Sequence, residues 1–190
     1  MAEAPEAAEP REVMEYDVVI VGAGPSGLAA AIRLKQLAAE AGSEVSVAVL
    51  EKGSEVGAHI LSGAVMDPCG LNELIPDWRE KGAPLETPVT KDRFLVLGPM
   101  GELDITWLPQ PAFMKNHGCY VGSLGNLCRW MAEQAEGLGV EVYPGMAASQ
   151  LVFGENREVR GVIAGVFGVA RDGSHKPDYQ PGVELHGKYV

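Results

Sequence analysis

The sequence predicts an α/β fold organised on a parallel sheet, and three observations carry that prediction. Residues 18–21 read Val-Val-Ile-Val, an unbroken apolar run of the kind found in strands buried on both faces. Gly22, Gly24 and Gly27 follow at G-x-G-x-x-G spacing and lead into a helix-compatible segment. A second apolar run, 45–50, ends in Glu51, so strand, helix and strand come in the order of a βαβ unit.

The glycine spacing has a mechanical reason. The first glycine permits a tight turn, the second lets backbone approach a pyrophosphate, and the third lets helix and strand pack closely. The helix start then turns unpaired N–H groups and a positive dipole end toward an anion. Glu51, at the end of the second strand, is placed to accept both hydroxyls of an adenosine ribose. It comes later than the usual spacing of about 20 residues, and the extra length falls in 36–46, read as an extended helix end and loop. The alternative is a purely structural strand-to-helix turn.

Each further element follows from local pattern. In 25–41, Gly27, Ala31, Leu34, Ala38 and Ala41 form one small-residue stripe, which predicts a helix. Beyond Glu51, glycines 53, 57, 63 and 70 bracket short apolar pieces where backbone can approach a ligand. Within 57–63, His59 and Ser62 read equally as cofactor-lining groups or as part of a surface turn. A short helix from Leu71 stops before Pro76, and a proline-punctuated connection runs to Thr90. Strands are expected at 93–97 and 103–108 around a turn at 98–101. The stretch 107–114 is apolar but carries two prolines, so it is no regular helix; it reads as a loop over the core or a patch for a membrane or apolar substrate. Leu127, Met131, Ala135 and Leu138 mark a helix between Gly125 and Gly137, with Arg129 and Glu133 on its outer side. Strands follow at 141–143, 149–153 and 159–169, with a hairpin turn at 154–156. Residues 173–182 read as a loop, and 183–190 as a last strand on which the sequence stops. That ending is expected of a sheet not yet complete.

Composition excludes several classes. With 190 residues, 46% hydrophobic and 22% charged, the chain can build one domain with a real core. A formal charge of -11 without clustered Lys or Arg argues against nucleic acid as a partner. Cys69, Cys119 and Cys128 lack C-x-x-C spacing and read as small buried hydrophobes in a reducing compartment. Residues 1–15 form an acidic, proline-containing tail, without the basic start of a secretory signal or the arginine-rich character of a transit peptide. The uncharged stretch 18–32 is too short and too broken by Gly, Pro and Ser to span a membrane, which takes about 20 mostly apolar residues.

Four segments resemble the electron-transfer flavoprotein–ubiquinone oxidoreductase family: VIVGAGPSGLAAAIRLKQLA at 19–38, LEKGSEVGAHILSGAVMDP at 50–68, LIPDWREKGAPLETPVT at 74–90 and WMAEQAEGLGVEVYPG at 130–145. The first is common to many flavoproteins, whereas the other three are far more specific. The resemblance implies a Rossmann-like FAD-binding domain of the glutathione-reductase type over 16–190, incomplete at its C-terminus, with 57–120 as a loop- and hairpin-rich insertion facing cofactor or membrane. It implies that Gly22, Gly24, Pro25, Ser26 and Gly27 hold the FAD pyrophosphate. Glu51, with Lys52 beside it, would hold the adenosine ribose, and Gly57, His59, Ser62 and Gly63 would line the approach to the flavin. Family members take electrons from reduced electron-transfer flavoprotein and pass them to ubiquinone in the respiratory chain. They dock peripherally on a bilayer, which makes 61–78 and 107–114 candidate apolar surfaces.

The chain departs from that family in two ways. It is several times shorter, and three scattered cysteines cannot supply the four thiolates of the family's four-iron four-sulfur cluster, which would lie in further sequence. The missing transit peptide points to a bacterial protein on the cytoplasmic face of the inner membrane. Electron transfer through a bound flavin needs little acid–base chemistry, so no catalytic acid, base or nucleophile is expected. The competing readings are a nicotinamide-dependent flavin reductase or hydroxylase of the same fold, and a non-catalytic nucleotide-binding module.

Overall fold

A computed structural model describes residues 11–190. In chain order the elements are β1 (Glu12–Val21), α1 (Pro25–Glu40), β2 (Val47–Leu50), β3 (Ala64–Met66), α2 (Cys69–Leu74), β4 (Thr87–Pro88), β5 (Leu95–Gly98) and β6 (Gly101–Asp104). A 3-10 turn at Ala112–Met114 precedes β7 (Tyr120–Gly122) and α3 (Leu124–Gly137). Then come β8 (Glu141–Tyr143), β9 (Ala148–Phe153), β10 (Val159–Ala164), β11 (Phe167–Val169), β12 (His175–Gln180) and β13 (Val183–Tyr189). The chain divides into two compact units, one made of the described residues up to His59 with Met131–Val190, the other of Ile60–Trp130.

The first unit is a six-stranded sheet in the order β8-β2-β1-β13-β10-β9. Strands β8, β2, β1 and β13 run parallel; β10 pairs antiparallel with β13, and β9 pairs antiparallel with β10. The expected α/β fold with a parallel sheet is therefore present, and α1 makes the crossover between β1 and β2. One core cluster joins the two halves of the sheet: Val19, Ala48, Leu50, Val162, Ala164 and Leu185. The buried face of α1 is Leu28, Ala31, Ile32 and Ala38. That differs from the expected stripe, in which Ala41 is exposed, because larger Leu28 and Ile32 bury more apolar area than the small residues one position away.

Several expectations are corrected in this unit. The acidic tail was expected to reach residue 15, but β1 begins at Glu12. Glu12 and Val13 pair with Val183 and Glu184 of β13, so backbone hydrogen bonding to a distant strand overrides an unpromising composition. Residues 1–10 of that tail lie outside the described residues. The apolar run of β1 is not buried throughout: Val19 is buried, but Val21 is 56% exposed at the strand end. The expected strand at 159–169 is two, broken at Gly165, whose φ of 72° no extended strand accommodates. The expected loop at 173–182 holds β12, which pairs antiparallel with β11.

Two polar nodes brace β1 against its neighbours. Asp17 accepts from the Ser46 backbone N–H at 2.8 Å and Ser46 Oγ at 3.0 Å, and pairs with Lys188 Nζ at 2.6 Å. Lys188 first, then Ser46, hold the Asp17 carboxyl down to about 2. Tyr16 donates to Glu141 at 2.7 Å and lies 2.7 Å from the Tyr143 hydroxyl, which also donates to Glu141. Burial pushes the Tyr16 phenol well up, while the Tyr143 and Tyr16 hydroxyls hold Glu141 below the usual carboxylate range.

The second unit carries a three-stranded sheet, β3-β7-β4, and the β5-β6 hairpin. Its buried side chains include Leu71, Ile75, Trp78, Leu85, Leu127 and Trp130. Trp78 is 1% exposed; its indole N–H donates to Asn72 at 2.7 Å and its ring meets Tyr120 edge-on at 5.6 Å. Within the candidate apolar surface at 61–78, Leu71, Ile75 and Trp78 are core, while Leu61 and Val65 are exposed. Trp107 and Phe113 are 79% and 86% exposed, which settles 107–114 against a loop folded over the core. The hairpin turns two residues tighter than expected, at Pro99 and Met100, and 105–108 leaves the ladder. Arg129 bonds Asn126 at 3.1 Å along the helix. Of the three cysteines only Cys128 is buried; Cys69 is exposed because it opens α2. Among the described residues no helix is long and apolar enough to cross a membrane.

Candidate functional site

The site is built where β1 passes into α1, beside the end of β2. The Gly22 N–H donates to Leu50 O at 2.7 Å, which carries the β1–β2 ladder one step past the strand and turns the chain at a φ of 107°. Gly24 caps α1 in extended backbone and Pro25 takes the first helical turn, where its missing N–H costs nothing. No side chain caps this helix and no acidic residue lies in its first turn, so its free N–H groups have no internal competitor for an anion.

The three glycines have separate causes. Gly22 needs its left-handed backbone. A methyl on Gly27 would overlap the carbonyl oxygen of Gly22 and press the Ile20 side chain, so close packing of strand and helix demands it. A methyl on Gly24 would meet nothing within 4 Å, and its φ of -82° suits any residue. The space over Gly24 is open, a cradle that a side chain would fill.

Glu51 follows β2, and its own N–H donates to Tyr143 O at 3.0 Å. Its carboxylate spans two backbone donors, Oε2 accepting from Ala23 at 3.1 Å and Oε1 from Gly53 at 2.7 Å. It thereby ties the glycine turn to the next loop, which Gly145 N–H secures through Gly53 O at 2.6 Å. Two acceptor oxygens engaged by one hydrogen bond each retain lone pairs for ribose hydroxyls. Lys52 and His59 are exposed and Gly57 is half-buried at a φ of 84°.

Gly22, Gly24, Pro25, Ser26, Gly27 and Glu51 come together, joined through Ala23. Lys52, Gly57 and His59 follow in the same unit, whereas Ser62 and Gly63 belong to the other. Sequence reasoning missed the double backbone bond of Glu51 and the tie from Gly145. The only available signal was the glycine directly after Glu51-Lys52, a small residue where backbone must approach a carboxylate. Among the described residues no three His, Cys, Asp or Glu side chains could hold a metal, so the residues present do not fit an iron–sulfur cluster.

The NAD(P)-binding Rossmann-like domain family matches residues 20–78. The electron transfer flavoprotein-ubiquinone oxidoreductase of Pseudomonas aeruginosa is 61% identical over 184 residues, 95% of this chain and 33% of that protein. The chain thus spans about a third of the relative's length. Among solved structures, a geranylgeranyl bacteriochlorophyll reductase-like protein from Thermoplasma acidophilum superposes with a TM-score of 0.62 at 22% identity, over 93% of this chain and 38% of that one. The myxobacterial chondrochloren halogenase CndH, a variant of FAD-dependent halogenases, gives 0.54 at 16% identity over 93% and 36%. At such identities these two likenesses speak for the Rossmann-type fold alone.

Proposed function

We propose that this chain, which belongs to the electron transfer flavoprotein-ubiquinone oxidoreductase family along the third of the relatives' length that it spans, is the FAD-binding portion of such an oxidoreductase. The observation that carries the reading is the cradle over Gly24, a glycine that no neighbour in the chain requires. In this reading the N–H groups at the start of α1, with Ser26, hold the pyrophosphate. Glu51 accepts the adenosine ribose, and Gly57 and His59 border the path toward the ring system. A flavin bound there supplies the ability to accept electrons and release them singly. The chain's own residues bind it, orient it and bring no competing acid or base to it.

The donor in this proposal is reduced electron-transfer flavoprotein and the acceptor is ubiquinone. The four-iron four-sulfur cluster belongs to other parts of the polypeptide. Ubiquinone is an isoprenoid lipid, so the enzyme must meet a bilayer, and the exposed apolar residues of the second unit are suited to it: Leu97, fully exposed Met100, Trp107 and Phe113. We assign this contact to peripheral docking on the cytoplasmic face of a bacterial inner membrane.

The test is Gly24→Val in the full-length protein. Bound flavin per polypeptide should fall by at least about tenfold, with donor-linked ubiquinone reduction falling in proportion and the circular dichroism unchanged. Undiminished flavin would overturn the FAD assignment. Flavin reduction by NADH or NADPH as fast as by the protein donor would instead favour the nicotinamide-dependent reading that the name of the matched domain family raises.

A further inference from the structure

We propose that Asp92 and Asn116 form a clasp that positions the chain between them for membrane contact, a role that rests on the bilayer reading of its apolar residues. The pair closes an excursion across 24 residues with two bonds, Asn116 N–H to Asp92 Oδ2 at 3.0 Å and Asn116 Nδ2 to Oδ1 at 2.8 Å. Asn116's two donors hold the Asp92 carboxyl below its ordinary range, so the acceptor stays charged. Next inside the clasp, Phe94 N–H donates to Thr106 Oγ1 and Ile105 N–H to Phe94 O, both at 2.8 Å. Arg93 reaches Glu102 at 3.5 Å and Asp104 at 3.3 Å.

These ties gather at the neck, while the segment they enclose carries Leu97, Met100, Leu103, Trp107 and Phe113 exposed. The division has a physical reading. A lone two-stranded hairpin is marginal in water, and a loop this long resists closure. Apolar residues reach a bilayer with useful affinity only if that ordering is met beforehand, as for any preorganised ligand. Asp92 and Asn116 meet it without touching lipid, which makes them positioning residues.

The experiment uses the full-length flavoprotein and phosphatidylcholine–phosphatidylglycerol vesicles with brominated acyl chains, scoring co-sedimentation and tryptophan quenching. The Trp107→Phe protein is the blank. Asn116→Ala and Asp92→Ala should each lower partition by about tenfold and remove the Trp107 quenching, with flavin content kept. Asp92→Asn, which retains one acceptor, should recover part of both and decides the matter if the alanine variants lose flavin. Clasp variants that bind and quench like the unsubstituted protein overturn the proposal. If Met100→Ser with Phe113→Ser still weakens binding in that case, the bilayer reading survives alone; if that pair also binds normally, both fall.

Discussion

Gly22 sits at a φ of 107°, Gly27 under the Gly22 carbonyl, and Gly24 in ordinary backbone with open space above it. The same substitution should therefore do different things at the last two positions. Gly27→Val forces strand and helix apart and should cost about 1–3 kcal/mol or more, read as a lowered denaturant midpoint. Gly24→Val should leave that midpoint nearly unchanged, so that flavin loss there is a binding effect. At Glu51, exchange for Gln turns an acceptor oxygen into an NH2 facing a backbone N–H of Ala23 or Gly53. The expected loss is about 1 kcal/mol of stability, together with weaker flavin binding measured by dialysis. The glycine pattern and Glu51 were legible because their chemistry is local in sequence. The bond from Ala23 to Glu51 and the tie from Gly145 to Gly53 were not, because they join loops that lie far apart along the chain.

Strand β1 shows how elements acquire properties that composition conceals. Its first residues read as tail, yet they pair with β13, and Asp17 binds Ser46 beside β2 and Lys188 of β13. Because the Asp17 carboxyl is held down from the ordinary value near 3.8 to about 2, its stabilising effect is complete above the higher value and disappears as pH falls to the lower. Asp17→Asn does not titrate at this position. The stability gap between the two proteins should be widest above about pH 4 and close by about pH 2 in acid denaturation curves; a gap independent of pH would mean the Lys188 and Ser46 contacts are not the cause. Strand β12 was similarly hidden, since its polar sequence forms a strand only because β11 offers an edge. Trp78 reads as an exposed candidate until its N–H finds Asn72 and its ring finds Tyr120.

At the scale of the molecule, an acidic chain of formal charge -11 carries an exposed apolar excursion. Docking through such residues is driven by area removed from water rather than by attraction of charges. Raising salt from about 0.05 to about 0.5 M should leave vesicle partition of the full-length protein within about twofold, because screening acts on charge pairs and not on apolar burial. A steep decline with salt would point to a basic surface in place of the apolar one. Strand-helix-strand order, the glycine turn and the acidic residue after β2 could be read from residues alone, because backbone sterics and apolar periodicity act over a few positions. Which strands adjoin, where β1 begins, that Trp78 is core while Trp107 is surface, and that Asp92 meets Asn116 all waited on the folded chain. Each depends on a partner many residues away, and no local preference encodes which distant group arrives.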